Sequence, residues 1–298
     1  MLKTFKMEMP LHLMIWPGLF LVLLYHYGPM VGIAMAFQNY IPTMGIRGSE
    51  WVGLDNFKYM FSLPDTLVVL RNTLAISTMK IAAGLLVPIT MALLINEVRI
   101  KSFKRSVQTM IYLPHFLSWV IAGGILIDIL SPSQGIVNHI LSALGIEPIY
   151  FLGDKSWFRY VLVVSNEWKE FGFSTIVYLA ALTGIDPSQY EAATMDGANR
   201  WRQTWHVSLP GMRPIIFLLM TLSLGNVLNA GFEQVFILYS PQVYETGDII
   251  DTMVYRMGLV QLQYSMAATV GLFKSVVSLV LVSLSYWLAY RFAKYRIF

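Results

Sequence analysis

No cysteine occurs in this chain, which excludes disulfides and thiolate metal sites. Charge is scarce as well. Asp, Glu, Lys and Arg make up 13% of the residues, about half the ~25% typical of a soluble domain. No G-x-x-x-x-G-K-[ST] stretch is present, so nothing here resembles the loop that cradles nucleotide phosphates. The histidines, His12, His26, His115, His139 and His206, are scattered without metal-ligand spacing. No segment is long and polar enough for a soluble domain, and neither low complexity nor an internal repeat is visible. No bound cofactor or metal is therefore expected on this chain, and no site for enzyme chemistry.

What the chain has in abundance is apolar length. Hydrophobic residues account for 56% of it, and the mean hydropathy is +0.59. Runs of roughly 20 apolar residues, the length that crosses a ~30 Å hydrocarbon core, recur at about 11–37, 70–96, 108–130, 158–183, 213–239 and 267–290. The pattern predicts an all-α membrane protein of six transmembrane helices in a single membrane domain spanning 1–298. Pro17-Gly18 and the stretch from Tyr25 to Pro29 predict a kink in the first run. That run is too long for a cleavable signal peptide and lacks a small-residue cleavage site.

Orientation follows from the basic residues of the connecting segments. With the N-terminus inside, the inner segments hold twelve: Lys3, Lys6, Arg99, Lys101, Lys104, Arg105, Arg200, Arg202, Arg213, Arg291, Lys294 and Arg296. The outer segments hold five: Arg47, Lys58, Lys155, Arg159 and Arg256. Both termini are thus expected in the cytoplasm. The same bias accounts for the pI near 9.1, so no nucleic-acid partner is implied.

The inner loop from about 184 to 212 carries the most specific pattern. Asp186 is a good N-cap, Pro187 suits the first helical position, and Gln189 stands at the capping-box position. Glu191-Ala192-Ala193-Thr194-Met195-Asp196-Gly197-Ala198 follows, with Gly197 suited to a left-handed C-cap. A second amphipathic stretch, Trp201 to Val207, leads to Leu209-Pro210, where proline is expected to stop it. The result is a helix–turn–helix finger beneath the membrane. The alternative, a helix lying on lipid headgroups, conflicts with a segment 187–196 that has Glu191 and Asp196 but no Lys or Arg.

This pattern, E-A-A-x-x-D-G-A with a later hydrophobic residue and L-P, resembles the EAA loop of permease subunits of type I ABC importers. Asn72-Thr73-Leu74, Tyr112-Leu113-Pro114, Phe232-Glu233-Gln234-Val235-Phe236 and Tyr244-Glu245-Thr246-Gly247-Asp248 resemble the maltose-permease-like branch that handles oligosaccharides and polysaccharide fragments, alginate among them. The resemblance covers nearly the whole chain. It implies the type I importer permease fold: an N-terminal helix 11–37, a five-helix core of about 70–290 and the coupling loop 184–212. It also implies a bacterial cytoplasmic-membrane protein paired with a second, similar permease subunit, two cytoplasmic ATPases that bind ATP and Mg, and an extracytoplasmic solute-binding protein. Glu191, Ala192, Ala193, Asp196, Gly197, Ala198, Leu209 and Pro210 would then face or shape the ATPase contact.

Polar residues within the apolar runs are candidates for a sugar path, because a charge at mid-bilayer costs about 2.5–3.5 kcal/mol unless a cavity or partner receives it. Asn226, Asn229 and Glu233 share one face if their run is a continuous helix, with Gln234 beside them. Asn166, Glu167 and Lys169 cluster with Glu170 in the fourth run. The competing reading is structural, pairing Lys169 with Glu233 or Lys80 with Glu167. An ion-coupled secondary transporter or channel is the alternative function, and it leaves the capped loop unexplained.

Overall fold

The structure, a computed structural model, describes residues 2–293. Lys294 and Arg296, part of the charge asymmetry above, lie outside the described residues. Among the described residues the architecture is helical apart from a small antiparallel ribbon in which Gln38 pairs with Trp51 and Asn39 with Glu50. Two compact units are distinguished, residues up to 64 with 253–273, and residues 65–252 with those from 274 onward.

In the first unit, helix Leu2–Val22 runs through Pro17-Gly18 without ending. The departure falls further along, where a π-helical turn, Leu23–Tyr27, passes into a 3₁₀ segment, Gly28–Phe37, with Pro29 in its first turn. The ribbon behind it is fixed by side chains that meet backbone groups. Asn56 Nδ2 donates to the carbonyls of Ala36 and Gln38, both at 3.0 Å, and Thr269 Oγ1 donates to Ala36 O at 3.2 Å.

The second unit is built on helix Pro64–Glu97, which opens with Pro64 and Asp65, a residue pair favoured in a first turn by fixed φ and by the helix dipole. Its fully buried Asn72 is a knot. Asn72 Nδ2 donates to the carbonyls of Glu245 at 3.1 Å and Asp248 at 3.2 Å, while Arg159 Nη2 donates to Asn72 Oδ1 at 2.7 Å. Arg159 Nε also donates to Thr246 O, 2.9 Å. One amide thus joins this helix, helix Phe158–Thr183 and the 244–248 segment. Nearby Lys155 pairs with Glu245 at the surface, and that bond holds the Glu245 carboxyl below the usual carboxylate range.

Four described helices are long and apolar enough to cross a membrane: His12–Phe37, Pro64–Glu97, Arg200–Gly225 and Tyr264–Trp287. Helices Lys101–Tyr112 and Trp119–Leu130 share the third apolar run, but the chain bends there by 103°. A 3₁₀ turn, Leu113–Phe116, ends the first of them, and Ser118 caps the second by accepting from Ile121 N at 3.3 Å. Helix Phe158–Thr183, 26 residues, is long enough to span, yet holds Glu167, Lys169 and Glu170 at its middle. Gly172 lets this helix lie against the backbone at Ile111, where a β-carbon would collide with the Ile111 carbonyl.

Two expectations are corrected. Pro210 does not stop the preceding helix. Residues Arg200–Gly225 continue as one, because a π-helical turn, Thr204–Ser208, leads in and Pro210 occupies the first turn of Leu209–Gly225, where its missing N–H is harmless. The fifth apolar run, in contrast, is not continuous. Its helix ends at Gly225, and a new one, Phe232–Leu238, begins after Gly231, whose φ of +89° belongs to the left-handed region.

Candidate functional site

Two groups of candidate residues are positioned by these elements. The first is the finger. Helix Pro187–Met195 starts at Asp186, whose carboxylate accepts from Ser188 N at 2.9 Å, a bond that keeps the Asp186 carboxyl below its usual range. The helix ends in a Schellman arrangement: Ala198 N donates to Ala193 O at 2.9 Å and Gly197 N to Thr194 O at 3.0 Å, with Gly197 at φ +73°. Ala193, Asp196, Gly197 and Ala198 are therefore the cap itself. Glu191 and Ala192 are exposed on the helix.

The return strand of the finger relies on residues that the sequence reading did not single out. Asn199 caps the next turn, accepting from Arg202 N at 2.9 Å. Gln203 Nε2 donates to Ala198 O and Thr194 Oγ1, both 3.1 Å, tying the two arms together. Arg200 reaches Glu97 at 3.1 Å, and Tyr190 meets Ser208 at 2.9 Å. The exposed ion pair contributes little by itself; its use is to set the finger beside the end of helix Pro64–Glu97. Between them lies an open cleft of about 650 Å³ lined by Asn96, Glu97, Tyr190, Glu191, Asn199 and Arg200. Trp201 and Trp205 stay largely exposed, their ring centroids 5.9 Å apart. Leu209 and Pro210 form the first turn of the following helix.

The second group surrounds a polar cavity of about 360 Å³ near the middle of helices Pro64–Glu97 and Phe158–Thr183. Asn166, Glu167 and Asn229 all line it, joined by Lys80, Glu170 and Ser174. The anticipated shared face of Asn226, Asn229 and Glu233 does not form, because the helix breaks between them. Asn226 is the C-cap residue of Leu209–Gly225, with Nδ2 donating to Leu222 O at 3.1 Å. Asn229 lies in the break, where Oδ1 accepts from Gly231 N at 3.4 Å, and Glu233 is exposed in the first turn of the next helix. The break frees carbonyls that hydrocarbon cannot satisfy. Lys80 meets that need by donating to Ala230 O at 2.7 Å, and it also donates to Gln234 Oε1. Gln234, buried, donates in turn to Ser165 Oγ at 2.7 Å and Leu162 O at 2.8 Å.

The expected pairs are replaced by others. Lys169 binds Glu170 at 2.8 Å and His115 O at 3.0 Å, not Glu233. Its ammonium stands 5.5 Å from the Trp119 ring centroid, and Lys169 itself does not line the cavity. Glu170 is shared, since His115 Nδ1 also meets Glu170 Oε2 at 2.7 Å, and His115 stacks on Phe173 with centroids 4.2 Å apart. Lys80 and Glu167 form no ion pair within 4 Å. Hydrophobic spacing gave no signal for these partners, which are fixed by the bend at 113–118 and the break at 226–231.

Comparison with known proteins gives the family and the fold. Residues 84–294 match the family described as binding-protein-dependent transport system inner membrane component. The polygalacturonan/rhamnogalacturonan transport system permease protein YteP of Bacillus subtilis (strain 168) is 46% identical over 288 residues, covering 97% of this chain and 90% of YteP. Among solved structures, a bacterial ABC transporter involved in the import of the acidic polysaccharide alginate is similar with a TM-score of 0.90 and 41% identity, over 97% of this chain and 98% of that one. A bacterial alginate ABC transporter in complex with its alginate pentasaccharide-bound periplasmic protein gives 0.91 and 40%, over 99% of each chain. The helical architecture is that of a type I ABC importer permease, and the chain belongs to the binding-protein-dependent transport system inner membrane component family.

Proposed function

We propose that this chain is the membrane-spanning subunit of an ATP-driven importer that passes an oligosaccharide or polysaccharide fragment from an extracytoplasmic binding protein into the cytoplasm. The observation that carries this reading is the finger, a rigidly capped helix with Glu191 and Ala192 exposed. Such a helix, hung from apolar elements, is suited to a protein groove. We assign that groove to a cytoplasmic ATPase, with Glu191 to Ala193 facing it, Asp196 to Ala198 shaping the turn, and Leu209-Pro210 setting the return. Two such ATPases, holding ATP and Mg, drive this chain together with a second, similar permease subunit in a heterodimer. The protein lies in a bacterial cytoplasmic membrane with six spans and both termini cytoplasmic. Reporter fusions after residues 145 and 195 should report opposite sides; signals from one side would contradict this orientation.

The names of the relatives, a polygalacturonan/rhamnogalacturonan permease and an alginate importer, favour an acidic oligosaccharide. The cavity supplies its path, with Asn166, Glu167 and Asn229 offering donors and acceptors to sugar hydroxyls. Lys169, Asn226 and Gln234 act instead as supports of the bend and the break, and Glu233 stands exposed at the start of the helix that follows it. Replacing Asn229 by Ala should lower uptake roughly tenfold, since a buried hydroxyl that loses its partner forfeits about 1–3 kcal/mol. Complex yield and basal ATP hydrolysis should hold. Parallel loss of yield, hydrolysis and uptake would place Asn229 in the scaffold.

A further inference from the structure

The cavity holds a charge arrangement that the importer reading leaves unused. Lys80 sits at the middle of the 34-residue helix Pro64–Glu97, and its ammonium is held by two neutral acceptors, Ala230 O and Gln234 Oε1. Neutral acceptors orient an ammonium without cancelling its charge, and a carboxylate would make the stronger, charge-assisted partner. None of the described carboxylates lies within ion-pair distance of it. Glu170, also in the lining, is already neutralised by Lys169 and bonded to His115. Glu167 is 8% exposed, and its Oε2 is buried with no hydrogen-bond partner. Buried polar atoms are nearly always satisfied, and a donor from outside the chain reaches this one when the Glu167 side chain turns into the cavity it lines.

We propose that Lys80 is a specificity-determining residue, contacting the carboxylate of an acidic sugar unit while the Glu167 carboxylate, turned into the cavity, accepts from a hydroxyl of the same unit. This rests on the reading of the cavity as the sugar path. A uronate presents both groups on one ring, an anion and several hydroxyl donors, which matches one lysine without a carboxylate partner and one orphan acceptor beside a space of about 360 Å³. A neutral hexose satisfies Glu167 and leaves Lys80 unanswered.

The test compares oligogalacturonate with its methyl ester, which keeps the hydroxyls and removes the charge. Both are offered to the complete transporter, with uptake expressed per assembled complex. The unsubstituted complex should favour the acid. Lys80→Gln should lower uptake of the acid at least tenfold more than uptake of the ester, while Lys80→Arg should keep the preference. Equal loss of acid and ester in Lys80→Gln would overturn the proposal and leave Lys80 as a support of the helix break. Should Lys80→Gln fail to assemble, Ser174→Asp on the other lining helix leaves that support intact. It should depress the acid selectively, and equal effects on the two sugars would again overturn the proposal. Import of neither sugar by the unsubstituted complex, with ATP hydrolysis intact, would remove the reading of the path itself, and the proposal with it.

Discussion

Replacing Gly197 by valine should cut ATP-driven uptake at least tenfold while the apolar helices remain folded. Gly197 adopts φ +73°, a conformation that costs an ordinary L-residue about 1–2 kcal/mol and a β-branched one more. The strain falls on the two bonds that close helix Pro187–Met195, Ala198 N to Ala193 O and Gly197 N to Thr194 O. Relaxing it turns the Glu191 face away from the proposed ATPase groove, and a tenfold effect corresponds to about 1.4 kcal/mol of lost docking. Space is not the issue, because a β-carbon at Gly197 would meet nothing within 4 Å. Gly197→Asn, which tolerates the left-handed region, should therefore retain most activity. Uptake and ATP hydrolysis per complex measure both variants. Valine behaving like asparagine would show that the left-handed turn is dispensable.

The largest effect on stability is expected at Asn72. Asn72→Leu keeps the approximate size but removes the amide that ties helix Pro64–Glu97 to the 244–248 segment and to Arg159. Arg159 Nη2 loses its partner, the Asp248 carbonyl loses a donor in a buried setting, and the Glu245 carbonyl loses one in a part-buried setting. At about 1–3 kcal/mol for each buried group left unsatisfied, the loss is several kcal/mol. The thermal midpoint of the purified complex should fall by roughly 5–10 °C, given about 2–4 °C per kcal/mol for chains of this size. An unchanged midpoint would mean that the knot contributes nothing to cohesion, whatever its geometry.

The finger was legible because its chemistry is local. Asp186-Pro187 starts a helix and Gly197 ends it by rules that act within a few residues, and those residues took the positions their types prefer. The first, second and last apolar runs were legible for a similar reason, since length and composition alone decide whether a helix suits a membrane. The cavity was legible only in part. Asn166, Glu167 and Asn229 were picked out as polar residues among apolar ones and do line it together. The shared face drawn through Asn226, Asn229 and Glu233 was not real, because apolar residues such as Leu228 and Val235 carry the hydrophobic pattern through a break that Gly231 makes. What sustains that break is Lys80, 150 residues away in sequence, and no local pattern encodes such a partner. The pairing of Lys169 with Glu170 and His115 was hidden likewise, since it depends on the 103° bend that brings the 113–116 turn to helix Phe158–Thr183.

The central claim, that this chain passes a sugar under the drive of ATP hydrolysed by partner subunits, is tested most directly by uptake into sealed proteoliposomes. These should hold this chain, the second permease subunit and the ATPases, with labelled oligogalacturonate or alginate oligosaccharide and binding protein outside. The account predicts uptake only when ATP and Mg are inside and the binding protein is present, with no response to an imposed proton or sodium gradient. Uptake that follows an ion gradient without ATP would contradict it and identify the intramembrane carboxylates as coupling groups instead.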